Sequence, residues 1–421
     1  MTSSTAIFSP LQLELIDSCV PYTADSALTA ATRLRKAGID SADASAMLTQ
    51  AKLRTQAQAK FGQRALTMLF TEAGYEQSTR LAVARLHAQR FIDANLFSVA
   101  DLGCGIGADS MAFADAGLKV VSVELDEQTA AFTQHNMSAY ENCQVICANM
   151  MELPFSQLTD ATGQPIGALW LDPARREVEG SASRRVWDAE SFSPPFFFVK
   201  KLASTGIPMG VKMGPGIPHD EIPDNCEAQW ISHGGSVVEV VLWFNALARP
   251  GVKRSAIVMS NNALEPEVLG EITSDVWDKN SPEPEIRELQ QFIYEPDGAV
   301  IRAHLVTELA EETGLHLIDE NIAYLTGDKY VPTPLASAYE IIDKLPLHEK
   351  HLKKWVKEQR ITALTIKKRG VDVVPETLRS KLLAGSKKKK GQPAVTATLI
   401  ATRIGSGALS ERFALHVKPV A

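Results

Sequence analysis

The chain has few cysteines and no long apolar run. Of its 421 residues only five are cysteine, at positions 19, 104, 143, 147 and 226. This small, odd number argues against a disulfide framework and predicts reduced thiols, as in the cytoplasm. Cys143 and Cys147 stand apart from other ligand types, so we expect no metal site. No apolar segment approaches the ~20 residues of a membrane span. The first ten residues lack a basic region followed by an apolar core, so we expect no secretion signal and no membrane partner.

Charge is unevenly distributed along the chain. The net charge is −7, in a composition that is 45% hydrophobic and 22% charged. From residue 351 onward, 16 Lys and Arg face 4 Asp and Glu, a balance of +12, so the rest of the chain carries −19. An acidic body with a basic C-terminal segment predicts a separate module that meets a polyanion. The length predicts two to three domains.

A glycine-rich stretch, residues 96–125, has the pattern strand, turn, helix, strand. An apolar run ends at Asp101, and glycines follow at positions 103, 105 and 107. A helix is predicted over residues 108–116, and a β-branched strand ends at Glu124. Glycine allows positive φ or close approach of the backbone to a ligand at such a turn. The alternative interpretation is a tight turn that binds nothing.

The spacing of these glycines favours one kind of ligand. Nicotinamide enzymes use G-x-G-x-x-G, in which the helix N-terminus faces a pyrophosphate. Here an acid precedes three alternating glycines, which suits a ligand with an ammonium group and no phosphate. An acid after the second strand can bind ribose hydroxyls. The pattern therefore favours S-adenosylmethionine (SAM) over NAD.

With these motifs the chain resembles class I SAM-dependent methyltransferases that carry a C-terminal THUMP-like domain, a bacterial group. The resemblance rests on D-x-G-C-G-I-G, L-D-P-A-R-R and I-K-K-R-G. It implies an α/β fold with a Rossmann-like seven-stranded sheet, preceded by helices and followed by a small α/β domain. It also implies the following cofactor contacts: Asp101, Gly103 and Gly105 for the methionine part, Glu124 for the ribose, Asn149 and Met150 for the adenine, and in addition Gly107 and Leu125.

Other interpretations of these outer positions stay open. Asn149 could instead cap a helix and Met150 could be a core residue. The polar segment with Thr71, Glu76 and Gln77 is either part of the cofactor pocket or a plain loop.

A second motif follows the fourth predicted strand, residues 167–171. Amino-methyltransferases place [D/N]-P-P-[aromatic] there, where the acid accepts hydrogen bonds from the target. This chain has Asp172 and Pro173 but departs at the next two positions, with Arg175 in place of the aromatic. An arginine plane can stack on a base. The resemblance thus implies Asp172, Pro173 and Arg175 as catalytic residues. The alternative is a Pro-terminated strand with surface arginines.

The predicted domains are a helical region (1–78), the methyltransferase domain (79–260), a linker and accessory region (261–345) and the THUMP-like domain (346–421). Ser236–Phe244 and Ala256–Met259 are predicted to pair and finish the first sheet. Residues 143–147 are predicted to form its third, buried strand, and residues 394–404 and 412–417 an antiparallel pair in the THUMP-like domain. Arg54, Lys60 and Arg64 give the helical region a basic face, either solvated or in contact with substrate. RNA contacts are predicted at Arg176, Lys367, Lys368 and Arg369.

The function predicted from the sequence is methyl transfer to a nucleobase of RNA, either tRNA or rRNA. Two alternatives stay open: transfer to a protein or small molecule, and an RNA-binding protein that holds SAM without turnover. A nicotinamide oxidoreductase is disfavoured by the glycine spacing.

Overall fold

The computed structural model of the protein describes residues 8–175, 192–277, 285–384, 393–405 and 410–420. The chain divides into two compact units. The first comprises Met1–Gly234, Val238–Pro250 and Met259–Val268, and the second comprises Gly235–Val237, Gly251–Val258 and Leu269–Ala421.

The first unit begins with helices and continues as an α/β domain. Its helices are α1 (Pro10–Asp17), α2 (Ala27–Lys36), α3 (Ser41–Phe61), α4 (Glu72–Gln77), α5 (Leu81–Asp93), α6 (Ala108–Asp115), α7 (Glu127–Asn136) and α8 (Phe196–Ala203). Its strands are β1 (Ser98–Leu102), β2 (Lys119–Glu124), β3 (Cys143–Cys147), β4 (Leu169–Leu171), β5 (Ala174–Arg175), β6 (Phe192–Ser193), β7 (Met209–Met213), β8 (Cys226–His233) and β9 (Ser236–Phe244).

Local sequence explains where the N-terminal helices start. Ser9 and Gln12 form a capping box at α1, and Asp40 accepts hydrogen bonds from two backbone N–H groups at the start of α3. One residue of the basic face predicted for this region, Arg54, is used internally. Arg54 is 1% exposed and bonds Asp17 and the carbonyl of Met68. It is therefore neither solvated nor available to a substrate.

Seven strands of the larger sheet lie in the first unit, in the order β8-β9-β7-β4-β1-β2-β3. β1 is parallel to β2 and β4, β2 to β3, and β4 to β7, whereas β9 runs antiparallel to β7. Such an arrangement places the carboxyl ends of β1, β2 and β4 at one edge. The predicted Rossmann-like α/β fold is confirmed.

Two strand predictions for this sheet were wrong. Residues 143–147 were expected to be buried, but β3 is an edge strand and Cys147 is exposed. The predicted pairing of Ser236–Phe244 with Ala256–Met259 was wrong, because the neighbours of β9 are β7 and β8, and β8 was not predicted. All eight residues of β8 are buried, including the polar Glu227 and Gln229. Those polar residues concealed the apolar run that marks a buried strand.

The second unit contains a separate seven-stranded sheet. Its order is β13-β14-β12-β15-β18-β17-β16. The elements of this unit are β10 (Arg254–Met259), β11 (Val268–Ser274), β12 (Phe292–Pro296), α9 (Gly298–Arg302), α10 (Val306–Thr313), β13 (His316–Leu317), β14 (Leu325–Gly327), β15 (Ala336–Pro346), α11 (Glu349–Glu358), β16 (Ala363–Lys368), α12 (Pro375–Leu382), β17 (Thr396–Ile404) and β18 (Glu411–Pro419).

The end of this sheet agrees with the sequence prediction of a small α/β module. β17 and β18 are antiparallel, as predicted, and β16 is parallel to β17 with α12 between them in the chain. The predicted domain boundary at residue 345 lies inside β15, which pairs with both β12 and β18. β10 and β11 are neighbouring strands.

Candidate active site

The glycine-rich turn after β1 has the backbone conformation that requires glycine. φ is +81° at Gly103, +53° at Gly105 and +86° at Gly107, a region that other residues rarely adopt. A Cβ added to Gly105 would meet no atom within 4 Å. The backbone of Gly105 is therefore open to a ligand.

The structure brings three of the predicted site residues together at Gly103. A Cβ at Gly103 would lie 3.1 Å from Met150 Cε and 3.4 Å from the backbone oxygen of Asp172. The loops after β1, β3 and β4 therefore meet here, as expected for the carboxyl ends of parallel strands.

Gly107 faces the protein rather than the open side. A Cβ on Gly107 would lie 3.1 Å from Thr133 Cγ2 of α7. The Thr133 hydroxyl donates to the carbonyl of Gly105, and the Asn136 amide donates to the carbonyl of Ile106 at 2.9 Å. Thr133 and Asn136 were missed in the sequence, although two polar residues three positions apart share one helix face.

Glu124 lies beside the turn, and its contact with the ribose stays a prediction. Its Oε2 accepts from the backbone N–H of Gly105 at 3.0 Å, and its Oε1 accepts from those of Leu125 and Asp126 at 2.8 and 2.9 Å. The side chain of Leu125 is 64% exposed. A large apolar side chain at such a crevice offers an uncovered surface to a ligand.

Asp101 lies beneath the turn. Its carboxylate accepts from the Ser110 hydroxyl at 2.5 Å, and Ser110 is 2.7 Å from the Ser122 hydroxyl. Burial, together with the nearby Asp109, raises the pKa of Asp101 well above its usual range. The carboxylate thus ties β1 to α6 and β2, and its predicted contact with the cofactor stays a prediction.

Asn149 makes the contacts of a capping residue. Its Oδ1 accepts from the N–H of Met151 at 3.1 Å, and its Nδ2 donates to Glu152 at 2.8 Å. Its role at the adenine stays a prediction, whereas Met150 does lie at the glycine turn.

Asp172 stands at the end of β4 and pairs with a lysine that the sequence analysis missed. The Lys212 ammonium, on β7, is 2.5 Å from Asp172 Oδ2; their side chains are 13% and 33% exposed. Pro173 is buried, and the backbone of Arg175 pairs with Phe192 of β6. Arg176 lies outside the described residues.

A chain of buried polar side chains continues from Lys212. We call these residues, Asp172, Lys212, Thr79, Asp109, His87 and Glu239, the buried cluster. Lys212 donates to the Thr79 hydroxyl at 3.0 Å, and that hydroxyl donates to Asp109 at 2.7 Å. His87 is fully enclosed; its Nδ1 is 2.8 Å from Asp109 and its Nε2 is 2.5 Å from Glu239.

These distances determine the charge of the histidine. Burial opposes a charged imidazole, but Glu239 and Asp109 outweigh burial and raise the pKa of His87 to about 9. His87 is therefore an imidazolium at neutral pH. The pKa of Lys212 is also raised: burial lowers it, but Asp172, Asp109 and Glu239 overcome that effect.

A cavity of about 240 Å³ opens on the other side of Lys212. Its wall includes Lys60, Gln77, Thr79, Arg80 and Glu239. Lys60 donates to the carbonyls of Tyr75, Glu76 and Ser78, and burial lowers its pKa to about 8. The cavity wall is thus polar, with three cations, on Lys60, Arg80 and Lys212, and two acidic side chains, Glu76 and Glu239. Thr71 caps α4 instead, by accepting from the N–H of Gly74.

The predicted RNA-contact residues of the second unit differ in their surroundings. Lys367 is 2.5 Å from Glu295 Oε2, and Arg369 lies over the ring of Tyr324, 5.4 Å from its centroid. Lys368 is exposed. Of the three, Lys368 presents its charge to solvent.

Comparison with known families defines the class of protein. A methyltransferase domain family matches residues 99–162, and a THUMP domain-like family matches residues 336–419. A domain family of unknown function matches residues 9–57. The chain is therefore a SAM-dependent methyltransferase with a C-terminal THUMP-like domain, and SAM is its cofactor.

Whole-length relatives support the same class. Proteins described as uncharacterised SAM-dependent methyltransferases of Mycobacterium tuberculosis, from strains CDC 1551 / Oshkosh and H37Rv, are 29% identical over 355 residues, covering 83% of this chain and 89% of theirs. A candidate methyltransferase of Porphyromonas gingivalis W83 has a similar fold. Its crystal structure matches 98% of this chain and 100% of its own with a TM-score of 0.74 at 19% identity.

The site fits the cofactor. The open backbone at Gly105 and the exposed Leu125 leave room beside the Glu124 carboxylate. Across the described ranges, no group of three or more His, Cys, Asp or Glu side chains could hold a metal ion. In the same ranges, no helix is both long and apolar enough to cross a membrane.

Proposed function

We propose that this enzyme transfers a methyl group to a nucleobase of RNA, in tRNA or rRNA, and that Asp172 orients the acceptor. In this proposal Gly103 and Gly105 support the methionine part of the cofactor, Glu124 and Leu125 the ribose, and Met150 and Asn149 the adenine. Asp101 and Gly107 hold the turn from beneath. Residues 346–421 serve as the module that docks the RNA.

The observation that carries the proposal is the position of Asp172. Its backbone oxygen borders Gly103, and its Oδ2 is held by Lys212. Among the described residues, Oδ1 has no hydrogen-bond donor. This oxygen can accept from an N–H group of a base that enters between β4 and the cavity.

Methyl transfer from SAM depends mainly on how the protein positions the acceptor. SAM supplies a methyl group that its sulfonium already activates. The chain's residues need to hold the acceptor in line with that group, which is worth several kcal/mol as saved entropy. A carboxylate that accepts from the acceptor N–H also draws electron density toward the nucleophilic atom. Pro173, being rigid and buried, fixes the direction of Asp172.

The substrate class follows from charge. The cavity wall carries Lys60, Arg80 and Lys212, and the segment from residue 351 onward has a balance of +12. Cations at both places suit a polyanion with polar bases better than an apolar small molecule. Arg175 and Arg176, separated from the Asp-Pro pair by one residue, suit phosphate or base contact.

The test is transfer of labelled methyl from SAM to total RNA from cells that lack the protein. The wild type should label RNA, and Asp172→Ala should reduce the rate by about 100-fold or more, since alanine offers no oxygen to accept from the target N–H. Glu141→Gln, at an exposed carboxylate of the same unit, is the matched control and should retain the wild-type rate.

The alternatives have distinct outcomes in the same assay. Label that survives ribonuclease and remains with protein or small molecules would reject an RNA substrate. Binding of S-adenosylhomocysteine by calorimetry without any transfer would indicate an RNA-binding protein that only holds the cofactor. Transfer to RNA that Asp172→Ala leaves unchanged would reject Asp172 as the orienting residue.

A further inference from the structure

The buried cluster connects Asp172 to a histidine on another element through directed hydrogen bonds. The Lys212 ammonium donates to Asp172 and to the Thr79 hydroxyl. Because that hydroxyl donates its own proton to Asp109, its oxygen can only accept from Lys212. Thr79 therefore fixes the direction in which the ammonium points.

The charges of the cluster explain why a second cation is needed. Asp172, Asp109 and Glu239 are three carboxylates, and one lysine could not neutralise all of them. His87 donates to Asp109 and Glu239 through its two ring nitrogens, which requires both nitrogens to carry protons. With those carboxylates satisfied, the ammonium remains directed at Asp172.

We propose that Lys212 is a positioning residue for Asp172, aimed by Thr79, and that the His87 imidazolium frees it for this task by neutralising Asp109 and Glu239. The inference rests on the proposed function insofar as Asp172 is the group that receives the acceptor. Lys212 itself does not contact the reacting atoms.

The consequence for Asp172 is electrostatic. Burial raises the pKa of Asp172, and the Lys212 ammonium opposes that rise. A protonated carboxyl would donate where the acceptor needs it to accept. Other charged groups also face the pair: Asp101 beneath the turn, and Lys60 and Arg80 in the cavity wall. All three remain in place when Lys212 is changed.

The test measures the titration of Asp172 directly and needs no substrate. The full chain is labelled with ¹³C at the aspartate carboxyls, and the Asp172 signal is assigned from Asp172→Asn. In Lys212→Met the pKa of Asp172 should rise by about one unit or more, the effect of removing an opposite charge at contact distance. Lys212→Arg should restore most of the difference. Equal titration of Asp172 in Lys212→Met and the wild type would overturn the proposal.

The same variants are compared in methyl transfer to total RNA. Lys212→Met should lower kcat about 10- to 100-fold near neutral pH, with little change in the KM for SAM. The acidic limb of the pH–rate profile of Lys212→Met should shift to higher pH, so that part of the activity returns at alkaline pH. A merely structural role would not produce this shift. Lys201→Met, an exposed lysine on α8, is the control. An unshifted limb would contradict the inference.

A second pair of variants decides the matter if Lys212→Met does not fold. Thr79→Val removes one hydroxyl, whereas Thr79→Ser keeps it. Thr79→Val should lower kcat, and Thr79→Ser should recover it. Equal kcat in Thr79→Val and the wild type would overturn the proposal. If no variant or wild type labels RNA but the Asp172 titration shifts as expected, the proposed substrate is wrong and the positioning role stands.

Discussion

The buried cluster in the first unit and the surface pair Lys367–Glu295 in the second unit hold their ions in very different surroundings. His87 is fully enclosed, and the carboxylates beside it are at most 8% exposed. Lys367 is 36% and Glu295 21% exposed. Both contain a cation and a carboxylate at 2.5 Å, so the contact distance is the same and the solvent differs. The comparison teaches that burial, rather than contact, makes an ion pair indispensable.

The largest effect is expected when the buried cation is removed. His87→Ala leaves Asp109 and Glu239 enclosed without the imidazolium that contacts both, which should lower the free energy of unfolding of the first unit by about 3–5 kcal/mol. Denaturant unfolding followed by tryptophan fluorescence measures this, because Trp170 and Trp243 lie 4.4 and 6.4 Å from the His87 ring. His351→Ala, at an exposed residue, should change it little. A loss below 1 kcal/mol for His87→Ala would break the comparison.

The pH dependence of stability gives the next effect. Because the pKa of His87 is raised to about 9 in the folded chain, its stabilisation is complete below the unfolded value of about 6.5 and disappears as pH rises through about 9. The first unit should therefore lose about 3 kcal/mol between these pH values. Unfolding measured at steps from pH 6 to 10 tests this. His87→Ala should lack this loss, and a wild type whose stability is flat over the range would contradict the prediction.

Matched carboxylate substitutions sharpen the contrast between the two regions. Glu239→Gln keeps an acceptor oxygen for His87 but removes a buried charge, so it should cost about 2 kcal/mol. Glu295→Gln makes the same change at the more exposed pair and should cost less than about 1 kcal/mol. Added salt should diminish the second effect more than the first. Equal costs would show that burial is not the deciding factor.

The smallest effect concerns two adjacent lysines on β16. Lys368 is exposed, whereas Lys367 is paired with Glu295. If RNA docks on this strand, Lys368→Ala should weaken RNA binding a few-fold and reduce the salt slope by about one, the value of one phosphate contact. Lys367→Ala should weaken RNA binding less, since the Lys367 charge is already paired with Glu295. Filter binding at several salt concentrations measures both, and a larger loss for Lys367→Ala would reverse this ranking.

The parts of the site that sequence revealed are those encoded by neighbouring residues. The turn with Gly103 and Gly105, the acid Glu124 and the pair Asp172-Pro173 are each adjacent to a predictable strand. The fold class was implied by the family resemblance that these motifs carry. A turn is a local structure, so its residue types are visible without knowing the rest of the chain.

The buried cluster could not be found in the same way. Its members lie on separate elements and are joined only by the folded sheet; His87 and Glu239 are 152 positions apart. A lysine in a strand such as Lys212 resembles a surface residue, and only tertiary packing shows that it is enclosed. Strand β8 was not predicted for a related reason: in the sequence, its buried glutamate and glutamine resemble residues of an exposed segment.

One amide side chain on α7 fastens two distant parts of the first unit to each other. Asn136 bonds the backbone N–H and carbonyl of Leu69, and it also donates to the carbonyl of Ile106 in the glycine turn. Gly74 packs so closely on Ile106 that an added Cβ would lie 2.5 Å away. The N-terminal helical region therefore supports the glycine turn at the cofactor site and is not an independent domain. A variant that begins at residue 79 should therefore bind SAM more weakly even where its sheet still forms.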